Sequence, residues 1–332
     1  VNILRWDVRI LLIDFNSKIP NLALMKLSTW HKQQGNKVYL NQCDNPDKVY
    51  ISTLFTWDKP KVEKLLKMYP NAEVGGTGWD IKKTLPEEIE NCKPDYDLYT
   101  AVDIYNRIKG GIGKKENKLK KAMEIINAGI GFTSRGCIRQ CGFCFVPPKE
   151  GMLHKVGEIN ELINPKSKVI ILLDNNLTAD PDCIDKLHEI RDRGLIVDIT
   201  QGIDIRLMTP EIAQALSEVK HLRSLHYSWD LMSFEKSIFE GIKILSKSVK
   251  LWRHMCFMLT GYNTSFEEDM YRFHKLNEHN IRPYVMPYNL TYPTEKHHHF
   301  TRWVNSRIHT ACSFEEYEPW VKEQKSNQLS FV

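Results

Sequence analysis

Short runs of consecutive apolar residues alternate with amphipathic stretches along most of this chain, a pattern that predicts parallel strands connected by helices. "VRILLID", Val8 to Asp14, predicts a buried strand, and Leu22 to Gln34 predicts an amphipathic helix stopped by Gly35. "KVYL", "KVYISTLF", the helical "KPKVEKLLKMYP" and "AEVGG" continue the alternation. Only "NQCDNPD" separates the first two of these, and a parallel crossover ordinarily takes a dozen residues or more. The opening domain, residues 1–99, therefore reads as a small or incomplete Rossmann-like parallel α/β domain. From Tyr99 the pattern gives way to the glycine- and lysine-rich "NRIKGGIGKKENKLKKAMEIINAG". Residues 100–128 thus read as a basic linker or inserted flap with a helical end.

After Gly129 the alternation is regular. "GFTS", "KVIILLD", "LIVDIT", "LRSLHYSWD", "KLWRHMCFML" and "IRPYVMPY" predict strands. Helices are expected near Gly157 to Ile163, after Asp180 and Pro181, after Thr209 and Pro210, and near Phe234 to Leu245. Another should follow Ser265, which has capping-box spacing to Glu268. Six strand–helix units predict a partial (β/α)6 TIM-type barrel over residues 129–290, with its chemistry at the C-terminal strand ends. The tail, 291–332, predicts one amphipathic helix with Val304, Ile308 and Ala311 on a face.

Composition narrows the setting. The 332 residues are 42% apolar, enough for two domains or a barrel with an appendage, and the net charge of +5 permits an anionic substrate without requiring one. The chain opens on no charged-then-apolar leader, and its apolar runs are only strand-length, so a membrane location is not expected. Three of the eight cysteines crowd into "GFTSRGCIRQCGFCFVP", Gly131 to Pro147, while Cys43, Cys92, Cys183, Cys256 and Cys312 are scattered. A large core needs no disulfide staples and three is an odd number, so the thiols point to a reducing, cytoplasmic setting and to metal chemistry.

Three thiolates spaced C-x-x-x-C-x-x-C on a loop after a barrel's first strand can surround one metal centre. Zinc would need a fourth ligand, which the local sequence lacks. A [4Fe–4S] cluster held by three cysteines keeps one iron open for a ligand. Cys137, Cys141 and Cys144, with Phe143 before the last, resemble the signature of the radical SAM superfamily. The resemblance implies that the three cysteines hold a [4Fe–4S] cluster whose open iron chelates S-adenosylmethionine. Reductive cleavage would then release a 5′-deoxyadenosyl radical that abstracts a substrate hydrogen. It also implies an external one-electron donor of flavodoxin or ferredoxin type.

Other residues follow from the same resemblance. Asp174, Asn175 and Asn176 in "LLDNN" match a polar motif for the methionyl amine, and a helix cap explains them as well. Asp204 and Arg206 in "QGIDIRL" would meet the ribose hydroxyls or the SAM carboxylate, or else pair with each other. His226 and Asp230 end "HYSWD", the first open to a plain core role. Gly261 would bring backbone near the adenine, or simply turn the chain, and Phe143 would support the adenine ring or pack the loop. The N-terminal domain resembles a cobalamin-binding-like domain, and its joining to such a barrel resembles radical SAM proteins of phages and bacteria. The short crossover and the missing D-x-H-x-x-G motif argue against a corrin cradle. Alternatives are a cobalamin-dependent methyltransferase, and a non-catalytic interaction protein in which the three cysteines plus a histidine hold zinc, a reading prompted by His309 and Cys312 one turn apart. Basic residues from Arg107 to Lys121, with Arg302 and Arg307 near Trp303, suggest a nucleotide or nucleic acid as substrate.

Overall fold

The computed structural model describes residues 8–108, 115–288, 292–318 and 321. They fall into two compact units, one of Val1–Thr133, Pro148–Gly151 and Gly157–Ile171, the other of Ser134–Pro147, Met152–Val156 and Leu172–Val332.

The first unit is built on β1 (Arg9–Phe15), α1 (Leu22–Gln33), β2 (Lys37–Leu40), β3 (Lys48–Thr53), α2 (Lys59–Met68) and β4 (Glu73–Gly75). The strands lie in the order β2-β1-β3-β4, all parallel. Ile10 to Ile13 are consecutively buried, as a strand covered on both faces requires. Leu11, Ile13, Val49, Ile51, Val62 and Val74 form the core. Asn21 caps α1, its side chain accepting from Leu24 N–H.

Seven residues, 41–47, do carry the chain from β2 to β3 across β1, contrary to expectation. The reason is that β2 is only four residues long. The return covers about 13 Å, within the reach of seven extended residues. Asp47 N–H pins its end by donating to Arg9 O at 2.9 Å. Further on come α3 (Glu87–Glu90), α4 (Ala101–Tyr105), α5 (Lys115–Asn127) and β5 (Gly129–Gly131). α4 is opened by a Thr100–Asp103 capping box. The basic stretch thus contains a helix that buries Ala122 and Ile125, and its residues 109–114 lie outside the described residues.

The second unit begins with β6 (Ser134–Arg135) and includes β7 (His154–Lys155), while α6 (Val146–Glu150) is divided between the units and β8 (Val169–Leu172) belongs to the first unit as far as Ile171. β6 pairs antiparallel with β7, and the boundary between the units falls inside α6 and β8. Then come α7 (Cys183–Asp192), β9 (Ile196–Ile199), α8 (Pro210–Glu218), β10 (Lys220–His221), β11 (Leu225–Ser228) and α9 (Glu235–Leu245). β12 (His254–Thr260), α10 (Phe266–Glu278), β13 (Arg282–Pro287) and α11 (Glu295–Asn305) complete the series.

Thr200 N–H donates to Leu172 O beside β9, β9 pairs with β10, and β11, β12 and β13 form a second parallel sheet. The expected strand "LRSLHYSWD" is therefore interrupted, its start lying on β9 and its end on β12. The expected helix at Gly157–Ile163 is a single 3₁₀ turn, Ile159–Leu162. α7 starts after Asp182, with Asp180 opening the preceding turn: its Oδ1 accepts from Asp182 N–H at 2.9 Å while its Oδ2 binds Lys186 at 2.5 Å. Thr209 and Ser265 cap α8 and α10 as expected, the latter in a full capping box.

α11 ends at Asn305, with Arg307 in the left-handed region at φ 60. Ile308 and Ala311 do not extend its buried face. Asn305 lies against β13, where its amide oxygen accepts from Val285 N–H at 2.8 Å and its amide nitrogen donates to Val285 O at 2.9 Å. That pair satisfies an edge strand as a neighbouring strand would. The chain is a mixed α/β protein with parallel sheets. Among the described residues no helix is long and apolar enough to cross a membrane.

Candidate functional site

The cysteine loop leaves β6 through Gly136, whose φ of 82 is a conformation glycine adopts without strain. Three neighbouring residues after β8 fasten it. Asp174 Oδ2 accepts from the N–H and hydroxyl of Ser134 at 3.0 and 2.9 Å. Asn175 Oδ1 accepts from Gly136 N–H at 2.9 Å, and Asn176 Nδ2 donates to the Cys137 sulfur at 3.3 Å. No side-chain cap bond forms on the 3₁₀ turn Leu177–Ala179 that follows. The "LLDNN" side chains therefore serve the loop, and the helix-cap explanation does not hold.

The sulfurs also receive backbone donors. Arg139 N–H points at Cys137 and Val146 N–H at Cys144, both at 3.4 Å, and Cys144 N–H closes a turn on Cys141 O at 3.0 Å. All three thiols are half-buried and free. Burial raises the Cys141 thiol above its ordinary range; Arg206 opposes this, while Asp230, Cys137 and Asp204 add to it. Burial likewise raises Cys144, opposed by the Val146 N–H and assisted by Cys141, Cys137 and Asp230. Among the described residues no three His, Cys, Asp or Glu side chains are gathered closely enough to grip a single metal ion.

Asp204 and Arg206 do pair with each other. Arg206 Nε and Nη2 donate to the two carboxylate oxygens at 2.7 and 2.9 Å, and Arg139 Nε adds a contact at 3.0 Å. Burial would raise the Asp204 carboxyl, but the two guanidiniums outweigh it and hold it below the usual carboxylate range. The Arg206 guanidinium also lies over the Phe234 ring at 4.5 Å. Asp230 accepts from the Ser228 hydroxyl at 2.7 Å, and burial raises its carboxyl. Phe143 meets Tyr262 edge-to-face at 5.3 Å, so it packs the loop. Gly261 follows β12 with φ 77, and a Cβ there would fall 2.9 Å from Pro293 Cγ.

Cys137, Cys141, Cys144, Asn176, Asp204, Arg206 and Asp230 thus act on one another. His226 adjoins this cluster through its backbone, its carbonyl accepting from Ile203 N–H at 2.8 Å next to Asp204. Its ring lies 5.1 Å from Phe257, and burial, then Arg282 and Arg223, push its pKa down to about 4. Sequence reasoning missed Ser134, Arg139, Thr178 and Tyr262. Thr178, whose hydroxyl bonds Asn176 Oδ1 at 3.2 Å and accepts from Asp204 N–H at 2.9 Å, ties two motifs together. Tyr262, next to Gly261, was the only one of the four adjacent to a flagged turn.

One expectation, Trp303 as a stacking partner, meets contrary geometry. Trp303 is buried against Phe273, Phe314 and His309, so its ring is closed to a nucleobase. At the C-terminal end of β1, Asp14 Oδ2 accepts from the Tyr99 hydroxyl at 2.7 Å and from the Arg107 guanidinium. Asn21 N–H also donates to the Tyr99 oxygen. Cofactors of such sheets sit outside the carboxyl ends of the strands. There the chain's own tyrosine and arginine occupy the space, so these residues do not fit a corrin.

No family model matches the chain. Part of its sequence resembles a methylthiotransferase. The relative is ribosomal protein uS12 methylthiotransferase RimO of Helicobacter acinonychis (strain Sheeba), 26% identical over 103 residues. The match covers 27% of this chain and 23% of RimO. Among solved structures, that of Streptococcus suis SuiB bound to precursor peptide SuiA aligns at 13% identity and a TM-score of 0.35. It covers 82% of this chain and 60% of SuiB, and a score this low carries no argument.

Proposed function

We propose that the chain is a radical SAM enzyme of the partial (β/α)6 barrel type whose cluster is held by Cys137, Cys141 and Cys144. The observation that carries this reading is the cysteine loop: three free thiols at C-x-x-x-C-x-x-C spacing, with N–H groups on two of the sulfurs. The partial similarity to RimO supports an enzymatic role.

The donor set fits a [4Fe–4S] cluster better than one ion. Each thiolate binds a different iron of a cluster, so the sulfurs stand apart, whereas zinc needs its ligands gathered at one point. The local sequence also lacks the fourth ligand that zinc would need. When bound, the cluster would supply one electron to the sulfonium of SAM. The chain's own residues bind and orient. Donors to Cys137 and Cys144 stabilise sulfur-centred negative charge, as outer-shell hydrogen bonds do at metal sites. The Asp204–Arg206–Arg139 cluster fixes the loop beside Cys141 and leaves the arginine faces as polar contacts for the cofactor. Asp230, whose carboxyl burial raises above its ordinary range, acts on Cys141 and Cys144 and offers a polar contact near the thiols.

The test is anaerobic reconstitution with iron and sulfide, addition of dithionite and SAM, and chromatography for 5′-deoxyadenosine. The wild type should form it and Cys141→Ala should not. A protein that assembles the cluster and leaves SAM intact, or that takes up zinc alone, would refute the reading. The electron donor in the cell is proposed to be a flavodoxin- or ferredoxin-like protein.

A further inference from the structure

On the sheet of β11, β12 and β13, register and alternation place His226 beside Met255 and Arg282, Ser228 beside Phe257 and Tyr284, and Leu259 beside Met286 on one face. This face is the open one. Arg282, Tyr284 and Met286 are exposed, whereas the alternate residues Tyr227, Cys256, Met258 and Val285 are buried. His226 tilts over Phe257, and Phe257 meets Tyr284 edge-to-face at 5.7 Å, giving the face an aromatic floor.

Among the described residues, two polar groups on it lack a suitable partner. His226 Nδ1 is buried without a hydrogen bond, which is costly unless something else supplies one. Arg282 forms no salt bridge among the described residues, and its Nη2 meets only the Met255 sulfur, at 3.5 Å. The charges around them are of one sign. Arg307 acts on Arg282, and Arg223 acts on His226. Arg223 is itself bound to Asp198 at 3.3 Å. An exposed guanidinium with no ion-pair partner among the described residues and another cation acting on it is complementary to an anion.

We propose that this face binds the substrate, and that the substrate is an aromatic ring carrying an anionic group. The ring lies on Phe257 and Tyr284, and Arg282 takes the anion with His226 Nδ1 as second partner. A phosphate and a carboxylate share this chemistry. The inference names the substrate class of the proposed radical enzyme and so rests on that reading.

The test is equilibrium dialysis of the full chain under nitrogen against four probes: uridine 5′-monophosphate, uridine, N-acetylphenylalanine and its uncharged amide. At least one charged probe should bind about tenfold or more tightly than its neutral parent. Which one does so identifies phosphate or carboxylate. Arg282→Gln should remove the advantage and Arg282→Lys should restore part of it. Tyr284→Ala should weaken charged and neutral probes alike. Circular dichroism checks that each variant is folded, which the exposure of both side chains favours. Equal binding of charged and neutral probes, or an advantage that survives Arg282→Gln, overturns the proposal. Deoxyadenosine formation is scored separately on the same preparation. Failure there with Arg282-dependent binding intact removes only the catalytic reading, and the converse removes only the anion site.

Discussion

Asp204 is the residue on which the polar part of the site turns. Its side chain is nearly buried and answers both oxygens with guanidinium contacts from Arg206 and Arg139. An amide in its place would present N–H groups to cations and leave two partly buried charges without their counterion. Asp204→Asn should cost about 2–3 kcal/mol, less than the full penalty for breaking a buried pair because Arg139 is partly exposed. The sign with pH follows from the depressed carboxyl. Stability from a lowered pKa is present above the unfolded value, near 3.9, and is lost as pH falls through the folded one. The gap between wild type and variant in urea unfolding should therefore be full at pH 7 and shrink below about pH 4. A gap that persists unchanged into stronger acid would show that the ion pair is not its source. His226 follows the opposite logic, since burial and two arginines keep its ring neutral, which is why it stands ready as a hydrogen-bonding group.

At the scale of elements, α9 meets the turn that carries this cluster. A Cβ on Gly241 would fall 1.9 Å from the backbone oxygen of Ile205, in the 3₁₀ turn Ile205–Leu207 that includes Arg206. In an exposed helix, glycine to alanine gains about 1 kcal/mol. Here Gly241→Ala should lose about 2–3 kcal/mol, because the carbonyl it meets is backbone and cannot swing aside. A higher urea midpoint for the variant would contradict this. The example also shows where sequence reading stops. The periodicity of α9 was legible, as were β1, the Thr209 cap of α8 and the capping box of α10, because each depends on neighbours within a few residues. The carbonyl facing Gly241 is set by packing between elements. For the same reason "LRSLHYSWD" looked like one strand, although its halves pair with different neighbours. The cysteine spacing and the Asp204–Arg206 pair could be read locally. Arg139 on Asp204 and Arg282 beside His226 needed the fold, since their partners lie dozens of residues away.

At the scale of the whole molecule, the thiols report on the site against their own background. All eight cysteines are free, and Cys183 and Cys256 are buried while the other six are half-buried. Thiol reagents attack accessible thiolates, and burial both blocks access and suppresses ionisation. Burial raises the Cys256 thiol far above its ordinary range and pushes Cys183 up to about 12. In denaturant under nitrogen, all eight should titrate. In the native protein without iron, six should react and these two should lag. Loading with iron and sulfide should then withdraw three more, leaving Cys43, Cys92 and Cys312 as the reactive set, identified by mass spectrometry of labelled peptides. Protection of the same three thiols by zinc alone, with no iron retained, would instead point to the zinc alternative, and loading that protects none of the thiols would mean that Cys137, Cys141 and Cys144 do not bind the cluster. The three outcomes separate because the loop's thiols and the scattered ones share a similar exposure, so only ligation distinguishes them.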